Sequence, residues 1–233
     1  MIYGVNFGGK HSFRDWRLTM EGRPVISPPV SKVVYVDVPG LNAFIDMTET
    51  LTGDVAYHSR TIEFNFTTRK VRQKWNKMYS DISSYLHGQR MRIILDEDKG
   101  YFYIGRVAVN EWKSNVKSST IVIEAEVDPY KYERYSSIEP WVWDVFPFEG
   151  GIIRVYKDLE VNGVMTLIVP GRRKKVVPVF DCSTSLTLVY GGKTYYLPAG
   201  KSKLLDLQLG LGEHFLTFQG NGTVSVDYRG ASL

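Results

Sequence analysis

The chain has 233 residues, enough for one large or two ordinary domains, since a domain usually takes about 100 to 200 residues. Hydrophobic residues make up 43% and aromatic residues 13%, which excludes an intrinsically disordered chain. The net charge of +4 is small and evenly spread, so neither half is a basic module of the kind that binds nucleic acid. We expect no membrane-spanning helix, because no apolar run approaches about 20 residues. We expect no internal disulfide, because Cys182 is the single cysteine. We also expect no cleaved signal peptide.

The N-terminal region begins with a segment that does not resemble regular structure. Within residues 8–30, Gly8-Gly9, Arg23-Pro24 and Pro28-Pro29 surround only short apolar pieces. A structureless stretch of this length in a compact domain is usually functional. We therefore expect residues 8–30 to form a long connection that serves as a contact surface.

The next residues are typical of β-strands, because runs rich in Val, Ile, Thr, Tyr and Phe alternate with turn residues. In one run, strict alternation places Ile62, Phe64 and Phe66 on one buried face. Asp98-Lys99-Gly100 predicts a tight hairpin with a positive φ at Gly100, and Gly105 predicts a bulge or a close backbone approach. The predicted strands are Val33 to Val38, Ser59 to Thr67, Arg90 to Leu95, Tyr101 to Val109 and Thr120 to Val127.

A helix interrupts this pattern. Apolar residues recur at spacings of about four, three, four and four between residues 71 and 86, which is one face of an α-helix. Thr67 or Thr68 can cap its start, and the glycine of His87-Gly88 can end it. The residues of the stripe are Val71, Trp75, Met78, Ile82 and Leu86.

The C-terminal part shows no helical period. Asn162-Gly163, Gly191-Gly192 and Asn221-Gly222 are hairpin signals between short strands, a pattern that indicates a β-sandwich. We predict a mainly β protein with two domains, a β-sandwich-like domain with one α-helix in residues 1–135 and a β-sandwich in residues 136–233.

The search for chemistry returns no candidate catalytic, metal-binding or cofactor-binding residue. His11, His58, His87 and His214 are scattered, with no partner at metal-ligand spacing. Cys182 is expected to be a small buried hydrophobic residue rather than an activated thiolate.

Two charged runs leave alternatives open. Asp96-Glu97-Asp98 is expected to be a solvated turn whose side chains diverge, although paired carboxylates can also bind Ca²⁺. Arg172-Arg173-Lys174-Lys175 is expected to be a solvated loop between two strands, with a phosphate or nucleic-acid contact as the alternative. Glu124 and Glu126 alternate on one strand and indicate a solvent face or a subunit interface.

Aromatic residues are concentrated at the predicted domain boundary. Trp141 and Trp143 would share one face of a short strand, where they could stack on a sugar ring. Because they lie at the boundary, we favour the interpretation that they stabilise the junction between two domains through apolar contact.

The order of motifs resembles the distal tail proteins of long-tailed siphophages and related prophages. Val36-Asp37-Val38-Pro39-Gly40, Asp46-Met47-Thr48-Glu49, Leu51-Thr52-Gly53 and the strand at Arg60 to Phe66 are similar to the N-terminal domain of that family. Residues 221–230 resemble the end of its galectin-like β-sandwich. The resemblance covers nearly the whole chain and rests on the succession of motifs. The later landmarks are Tyr85-Leu86-His87-Gly88, Arg92-Ile93-Ile94-Leu95-Asp96, Tyr103-Ile104-Gly105-Arg106-Val107 and Asp128-Pro129-Tyr130-Lys131-Tyr132.

The resemblance implies a structural role without an enzymatic activity or a cofactor. Six copies would form a ring through their N-terminal domains at the distal end of the tail tube, with the galectin-like domains on its periphery. The ring would join the tail tube protein to the tail-associated or baseplate protein, leaving a channel through which DNA passes without specific binding. The protein would be assembled in the bacterial cytoplasm and reside in the virion, without membrane insertion. The resemblance assigns no residues to the ring interface.

A carbohydrate-binding module for host adsorption is the alternative function. A galectin-type sugar site needs a tryptophan together with histidine, arginine, asparagine and glutamate on one sheet face. Residues 150–233 contain no tryptophan and only His214, which argues against this alternative.

Overall fold

The computed structural model describes residues 4–50, 53–68, 74–114, 119–140 and 154–233. Within them the chain is mostly β, and its curled sheets form sandwich-like units, which confirms the predicted fold class. The described residues fall into two compact units, one drawn from Met1–Glu97, Tyr103–Pro129 and Leu233, the other from Asp98–Phe102 and Tyr130–Ser232. Neither described helix is long and apolar enough to cross a membrane. The division at residue 135 into domains of different function stays a prediction.

The first unit contains the strands β1 (Val5–Phe7), β2 (Lys10–His11), β3 (Thr19–Met20), β4 (Val25–Ile26), β5 (Tyr35–Val36), β6 (Ile45–Asp46), β7 (Arg60–Thr68), β8 (Arg90–Leu95), β9 (Tyr101–Ser114) and β10 (Ser119–Val127). It is built on an antiparallel sheet with the strand order β2-β1-β8-β9-β10-β7-β3, in which β4 also pairs with β7, while β5 and β6 form a separate pair. Four of the five predicted strands are confirmed as β7 to β10, whereas the run from Val33 to Val38 forms only the short β5.

The core of this unit lies on one face of the sheet. Ile62, Phe64 and Phe66 are fully buried there, as their alternation predicts. Phe7 packs edge-on against Phe64 with the ring centroids 5.3 Å apart. Both helices, α1 (Ser12–Trp16) and α2 (Trp75–Leu86), contribute side chains to the same cluster.

Helix α2 confirms the predicted apolar stripe. Its four buried residues are Trp75, Met78, Ile82 and Leu86, while Val71 lies outside the described residues. The predicted N-cap is wrong, because Thr67 and Thr68 both belong to β7 and Lys74 stands at the N-cap without a side-chain hydrogen bond. Gly88, at a φ of 75°, follows the helix as expected.

Residues 8–30 are not the structureless connection that the sequence predicts. They contain β2, α1, β3 and β4, which are too short to show a period in the sequence. His11 begins α1 by accepting hydrogen bonds at Nδ1 from the backbone N–H groups of Phe13 and Arg14. Because Trp16 and Leu18 are buried in the core, this segment is part of the folded unit.

The two glycines singled out in the β8–β9 hairpin have different outcomes. Gly100 does not adopt a positive φ, and the turn is closed by a hydrogen bond from the Tyr101 N–H to the Asp98 carbonyl. Gly105 makes the predicted close approach, since a Cβ there would lie 2.2 Å from the Glu126 carbonyl oxygen. The bulge of β9 lies elsewhere, at Asn110.

The second unit contains the strands β11 (Lys131–Glu133), β12 (Leu159–Gly171), β13 (Val179–Cys182), β14 (Leu186–Tyr190), β15 (Lys193–Leu197), β16 (Gly200–Lys203), β17 (Gly212–Asp227) and β18 (Ala231–Ser232). Six of them form an antiparallel sheet with the order β15-β14-β17-β13-β16, in which β12 pairs with β17. Separately, β11 pairs with β18 and with residues 101–102.

Only one of the three predicted hairpin turns in this unit is confirmed, the Gly191-Gly192 turn between β14 and β15. The two Asn-Gly pairs lie inside β12 and β17, where Asn162 is paired with Asn221. Strand β17 pairs with β14 through residues 217–219 and with β13 through residues 224–227. The Asn-Gly pairs therefore mark the point where one long ribbon changes partners, as at the corner of a sandwich.

Candidate functional site

The first exposed feature is a protruding hairpin, which we call the arm and define as residues 30–58. Strands β5 and β6 pair with Tyr35 opposite Asp46. At the base, Lys32 donates its N–H to the Ala56 carbonyl at 2.8 Å, and the His58 N–H donates to the Val30 carbonyl at 2.8 Å. The two ends of the arm are thus joined by backbone hydrogen bonds.

None of the described residues of the arm is buried, so these residues contribute nothing to the core of their own unit. Phe44 is 68% exposed and Val30 67% exposed. Tyr35 and Phe44 form a tilted ring pair, at 6.2 Å between centroids. The exposed large apolar side chains of the arm are Val30, Val33, Val34, Tyr35, Val36, Leu41, Phe44, Ile45 and Met47.

The charge of the arm is acidic. Its sequence carries one basic residue, Lys32, against four carboxylates. Hydrogen bonds from Thr48 lower the pKa of Asp46, which keeps this exposed carboxylate ionised. The arm therefore combines apolar side chains with negative charge, as in an interface with an apolar centre and a polar rim. The acidic residues are Asp37, Asp46, Glu49 and Asp54.

The second exposed feature lies on the outer surface of β12, β17, β14 and β15, between the charged residues Glu160 and Glu213, which have the same outward parity. We call this part of the surface the neutral face. Side chains of one parity point outward on these strands and align in rows across the sheet. Ten outward side chains form these rows, and none of the ten is charged. The hydroxyls of Thr166 and Thr217 share a hydrogen bond of 3.0 Å. The rows are Val164, Gln219, Thr187 and Tyr196; then Thr166, Thr217, Val189 and Thr194; then Ile168 and Phe215.

The outer surface of the sheet in the first unit has the opposite character. Glu63 on β7 lies directly opposite Glu124 on β10, and Glu126 lies opposite Arg106 on β9. Asn65 donates to the Glu63 carboxylate at 2.9 Å. Glu124 and Glu126 thus lie on a polar sheet surface, as their alternation predicts.

The histidines are scattered in the structure as in the sequence. His11 Nε2 lies 2.9 Å from an Asp96 carboxylate oxygen, and His87 Nδ1 accepts the Val109 N–H. Both nitrogens of His214 are engaged, Nδ1 with the Tyr190 hydroxyl at 2.7 Å and Nε2 with the Gly210 carbonyl at 2.9 Å. Among the described residues, no group of histidine, cysteine and carboxylate side chains could hold a metal ion.

The three carboxylate side chains of the acidic turn at residues 96–98 point to different partners. Asp96 pairs with His11, Glu97 lies 3.5 Å from the Arg23 guanidinium, and Asp98 accepts from Lys131 at 2.8 Å. Each carboxylate therefore serves a different ion pair, which is the divergence that the sequence predicts. The expectation of a solvated turn is wrong for Asp96 and Asp98, because both are half-buried and paired within the chain.

The basic run at residues 172–175 forms the loop after β12, but its side chains are held by the second unit. Arg172 Nε donates to Glu133 Oε1 at 3.0 Å. The Lys174 ammonium group donates to the Tyr132 hydroxyl at 3.1 Å and lies 4.5 Å from the centre of that ring. The prediction of a solvated loop is therefore wrong for these two side chains, because intramolecular partners hold them.

Glu133 is the centre of a buried ion cluster that sequence reasoning missed. Its carboxylate accepts from Arg172, from Arg154 and from the Gly230 N–H at 3.1 Å. Arg154 also lies over the ring of Tyr228, at 4.5 Å from its centre. Burial raises the pKa of Tyr228 above its usual value.

Two further predictions concern Cys182 and the tryptophans. Cys182 is buried in the core of the second unit, and burial followed by the charge of Asp181 raises the pKa of its thiol. This confirms a packing residue rather than a reactive thiolate. Trp141 and Trp143 lie outside the described residues.

Comparison with known proteins finds a solved structure with a similar fold. No family model matches the chain, and no curated protein matches it. Among solved structures, it is similar to SPP1 Dit (gp 19.1), with a TM-score of 0.62, 10% sequence identity, and coverage of 98% of this chain and 99% of that chain. That protein is described as a paradigm of the hub adsorption apparatus in phages that infect Gram-positive bacteria. The resemblance to distal tail proteins is thus confirmed at the level of the fold.

Proposed function

We propose that this protein is a structural subunit of a phage tail hub rather than an enzyme. The observation that carries the proposal is the fold shared with SPP1 Dit over nearly the whole of both chains. Six copies would form a ring at the distal end of the tail tube, with ring formation in residues 1–135 and a peripheral sandwich in residues 136–233. The ring would connect the tube to the tail-associated or baseplate protein, after assembly in the bacterial cytoplasm.

The arm supports ring formation. Exposed apolar patches of several hundred Å² are uncommon on monomers and mark interaction sites. In a cyclic ring the contacts are heterologous, so the arm of each copy meets a different surface on the next one. We infer that the apolar side chains of the arm are covered by the neighbouring subunit, and that its carboxylates lie at the rim of this contact.

A channel that passes DNA without holding it requires little positive charge. Two members of the basic run are engaged by Glu133 and Tyr132 within the second unit, and the polar sheet surface of the first unit carries Glu63, Glu124 and Glu126. Carboxylates repel the phosphate backbone, and few phosphate contacts mean little salt-dependent affinity. These charges favour passage of DNA over specific binding.

The carbohydrate-binding alternative gains no support from the second unit. Both ring nitrogens of His214 are occupied by hydrogen bonds inside the unit, to Tyr190 and Gly210. A galectin-type site would need this imidazole to face a sugar. The adsorption module therefore stays the second choice.

Particle imaging of the purified full chain tests the proposal. We expect rings of six copies, together with binding of these rings to tail tube protein. Phe44→Asp on the arm should leave monomers, because it places a charge in the apolar contact. Leu205→Asp is the control, since Leu205 is equally exposed but lies in the second unit. A wild-type chain that stays monomeric at high concentration, and does not assemble with tube protein, would contradict the proposal.

A further inference from the structure

We propose that one edge of β12 is a docking site for an extended segment of a different protein, which adds to the second unit as one more antiparallel strand. We call this site, formed by residues 164–168, the free edge. In strand addition, the backbone of the partner supplies hydrogen bonds and its alternate side chains supply contacts. The proposal does not depend on ring formation and goes beyond the proposed hub function.

The backbone of β12 alternates between groups that face β17 and groups that face away from it, as in every antiparallel pair. The Val226 N–H of β17 donates to the carbonyl of Tyr156, which precedes β12. The Thr223 carbonyl of β17 accepts on the opposite side, from the N–H of Ser183, which follows β13. Even-numbered residues of β17 therefore face β12, and the register pairs them with odd-numbered residues of β12. The even-numbered residues of β12 direct their N–H and C=O groups away from the sheet.

Three even-numbered residues, Val164, Thr166 and Ile168, form the free edge. Within the part of the chain that the structure describes, β12 pairs with β17 alone. There, no backbone hydrogen bond outside this pairing reaches the three N–H groups or the carbonyls of Val164 and Thr166. Three donors and two acceptors are thus available to an added strand, which would satisfy them without disturbing the existing sheet.

The side chains of the free edge do not protect it. Native edge strands are usually blunted by charged residues, by proline or by a bulge. No residue between Glu160 and Pro170 is charged or a proline. Met165 and Leu167 are half-buried and pack against the core of the second unit. A further strand would complete their burial, which supplies a hydrophobic contribution to binding.

The length of the free edge favours a short segment over a second copy of this chain. The Tyr156 hydroxyl donates to the Ile168 carbonyl at 2.9 Å, and the Tyr228 hydroxyl donates to the Pro170 carbonyl at 3.0 Å. The edge is therefore closed beyond residue 168. A second copy would bring its whole strand of 13 residues, part of which would have to cross this closed stretch. A segment of about five to seven residues ends before it.

The residues beside the free edge define the chemistry of the segment. Its inward positions should be apolar, because they would lie beside Met165 and Leu167. Its outward positions should be uncharged, because they would extend the neutral face. Antiparallel pairing directs the C-terminal end of the segment toward Glu160, so a lysine is favoured at that end.

Fluorescence anisotropy with the full chain tests the proposal. The probe is a labelled peptide of about seven residues, with alternating threonine and valine and a C-terminal lysine. Residues whose side chains point outward are those whose N–H groups face β12, so threonine is placed there. Methylation of the threonine backbone nitrogens should weaken binding at least about tenfold, because it removes these donors. Methylation of the valine nitrogens should leave binding nearly unchanged.

A variant of the protein tests the same edge from the other side. Thr166→Pro removes the central donor of the free edge and keeps the pairing with β17, since proline is tolerated where the N–H faces away from the sheet. It should weaken peptide binding about tenfold. Thr194→Pro is the matched control, because it makes the same change on β15, the strand at the other edge of the sheet, and it should bind the peptide normally. Melting temperatures show that both variants fold.

The outcomes decide between occupants. Equal binding of the two methylated peptides, or no binding of the unmethylated peptide at about 1 mM, would overturn the proposal, and both results are obtained with the wild-type chain. A wild-type mass that rises with concentration, and that Thr166→Pro alone prevents from rising, would show that the edge joins two copies and would also overturn it. Rings that form without binding the peptide would contradict the docking site and leave the hub function standing.

Discussion

The core of the first unit and the arm use the same kinds of side chain for opposite purposes. Phe64 and Phe66 are fully buried between the sheet and the helices, whereas Phe44 and Tyr35 of the arm are largely exposed. The core strands β7 and β10 are paired over nine residues, but β5 and β6 are paired over two. A lone two-stranded hairpin is at best marginally stable in water.

This difference teaches that hydrophobicity alone does not assign a side chain to the core. Apolar residues stabilise a fold only where a second layer covers them, and the arm has no such layer within its own unit. The arm is thus suited to a contact outside the chain. Substitutions in the two regions should separate folding from assembly.

The largest expected effect is in the core. Trp75→Ala removes a buried aromatic side chain of α2 and should lower the free energy of unfolding by about 3 to 5 kcal/mol. Because the proposed ring would require a folded first unit, assembly should be lost as well. Thermal denaturation measures the change, and an unaltered melting temperature would show that the helix stripe does not hold the unit together.

The buried ion cluster should give the next largest effect. Glu133→Gln removes the charge that pairs with Arg154 and Arg172 and should cost about 1.5 to 3 kcal/mol, the range for hydrogen bonds to charged groups. Glu139→Gln is the matched control, because Glu139 is more exposed. Hydrogen exchange should show the loss of protection in the second unit. Equal effects of the two variants would contradict a special role for Glu133.

The hydroxyl of Tyr228 should have a smaller effect that depends on pH. Tyr228→Phe removes its donation to the Pro170 carbonyl at 3.0 Å and should cost about 1 kcal/mol at neutral pH. Burial raises the pKa of this phenol in the folded state, so its contribution is full below the unfolded value and is lost as the pH rises above about 10. The wild type should therefore lose more stability than the variant between pH 9 and 11, roughly one unit on either side of that unfolded value. Parallel pH curves would contradict the raised pKa.

The smallest effect on stability is expected in the arm. Phe44→Ser removes an exposed aromatic ring and should change the free energy of unfolding by less than about 0.5 kcal/mol, as is usual for surface positions. Denaturant unfolding of the monomer measures this value. A loss as large as that of Trp75→Ala would mean that the arm belongs to the core.

Much of the fold could be predicted from the sequence, because long regular elements carry a clear period. The strands β7 to β10 and the stripe of α2 are such elements. The segment at residues 8–30 could not be predicted, since β2, β3 and β4 have two residues each, fewer than one period of alternation needs. The Asn-Gly pairs were misinterpreted because the same dipeptide that makes a tight turn also permits a sharp bend inside two paired strands.

The exposed surfaces were harder to predict than the fold. Val33 to Val38 has the composition of a buried strand, and nothing local shows that no second layer covers it. The neutral face requires the register of β12, β17, β14 and β15, which brings together residues far apart in sequence. The Glu133 cluster likewise depends on Arg154, Arg172 and the backbone N–H of Gly230, which are far from Glu133 in the sequence. Such long-range pairing is invisible to local patterns, whereas the succession of motifs pointed to the fold that the comparison confirms.

The most direct test of the account is the mass of the full chain with and without the arm. Residues 33–55 can be replaced by a short glycine-serine linker, because the backbone hydrogen bonds of Lys32 with Ala56 and of His58 with Val30 bring the two ends together. The account predicts that the intact chain forms a discrete ring and that the shortened chain is a monomer with the same melting temperature. A shortened chain that still forms the ring would contradict the claim that the arm holds it together.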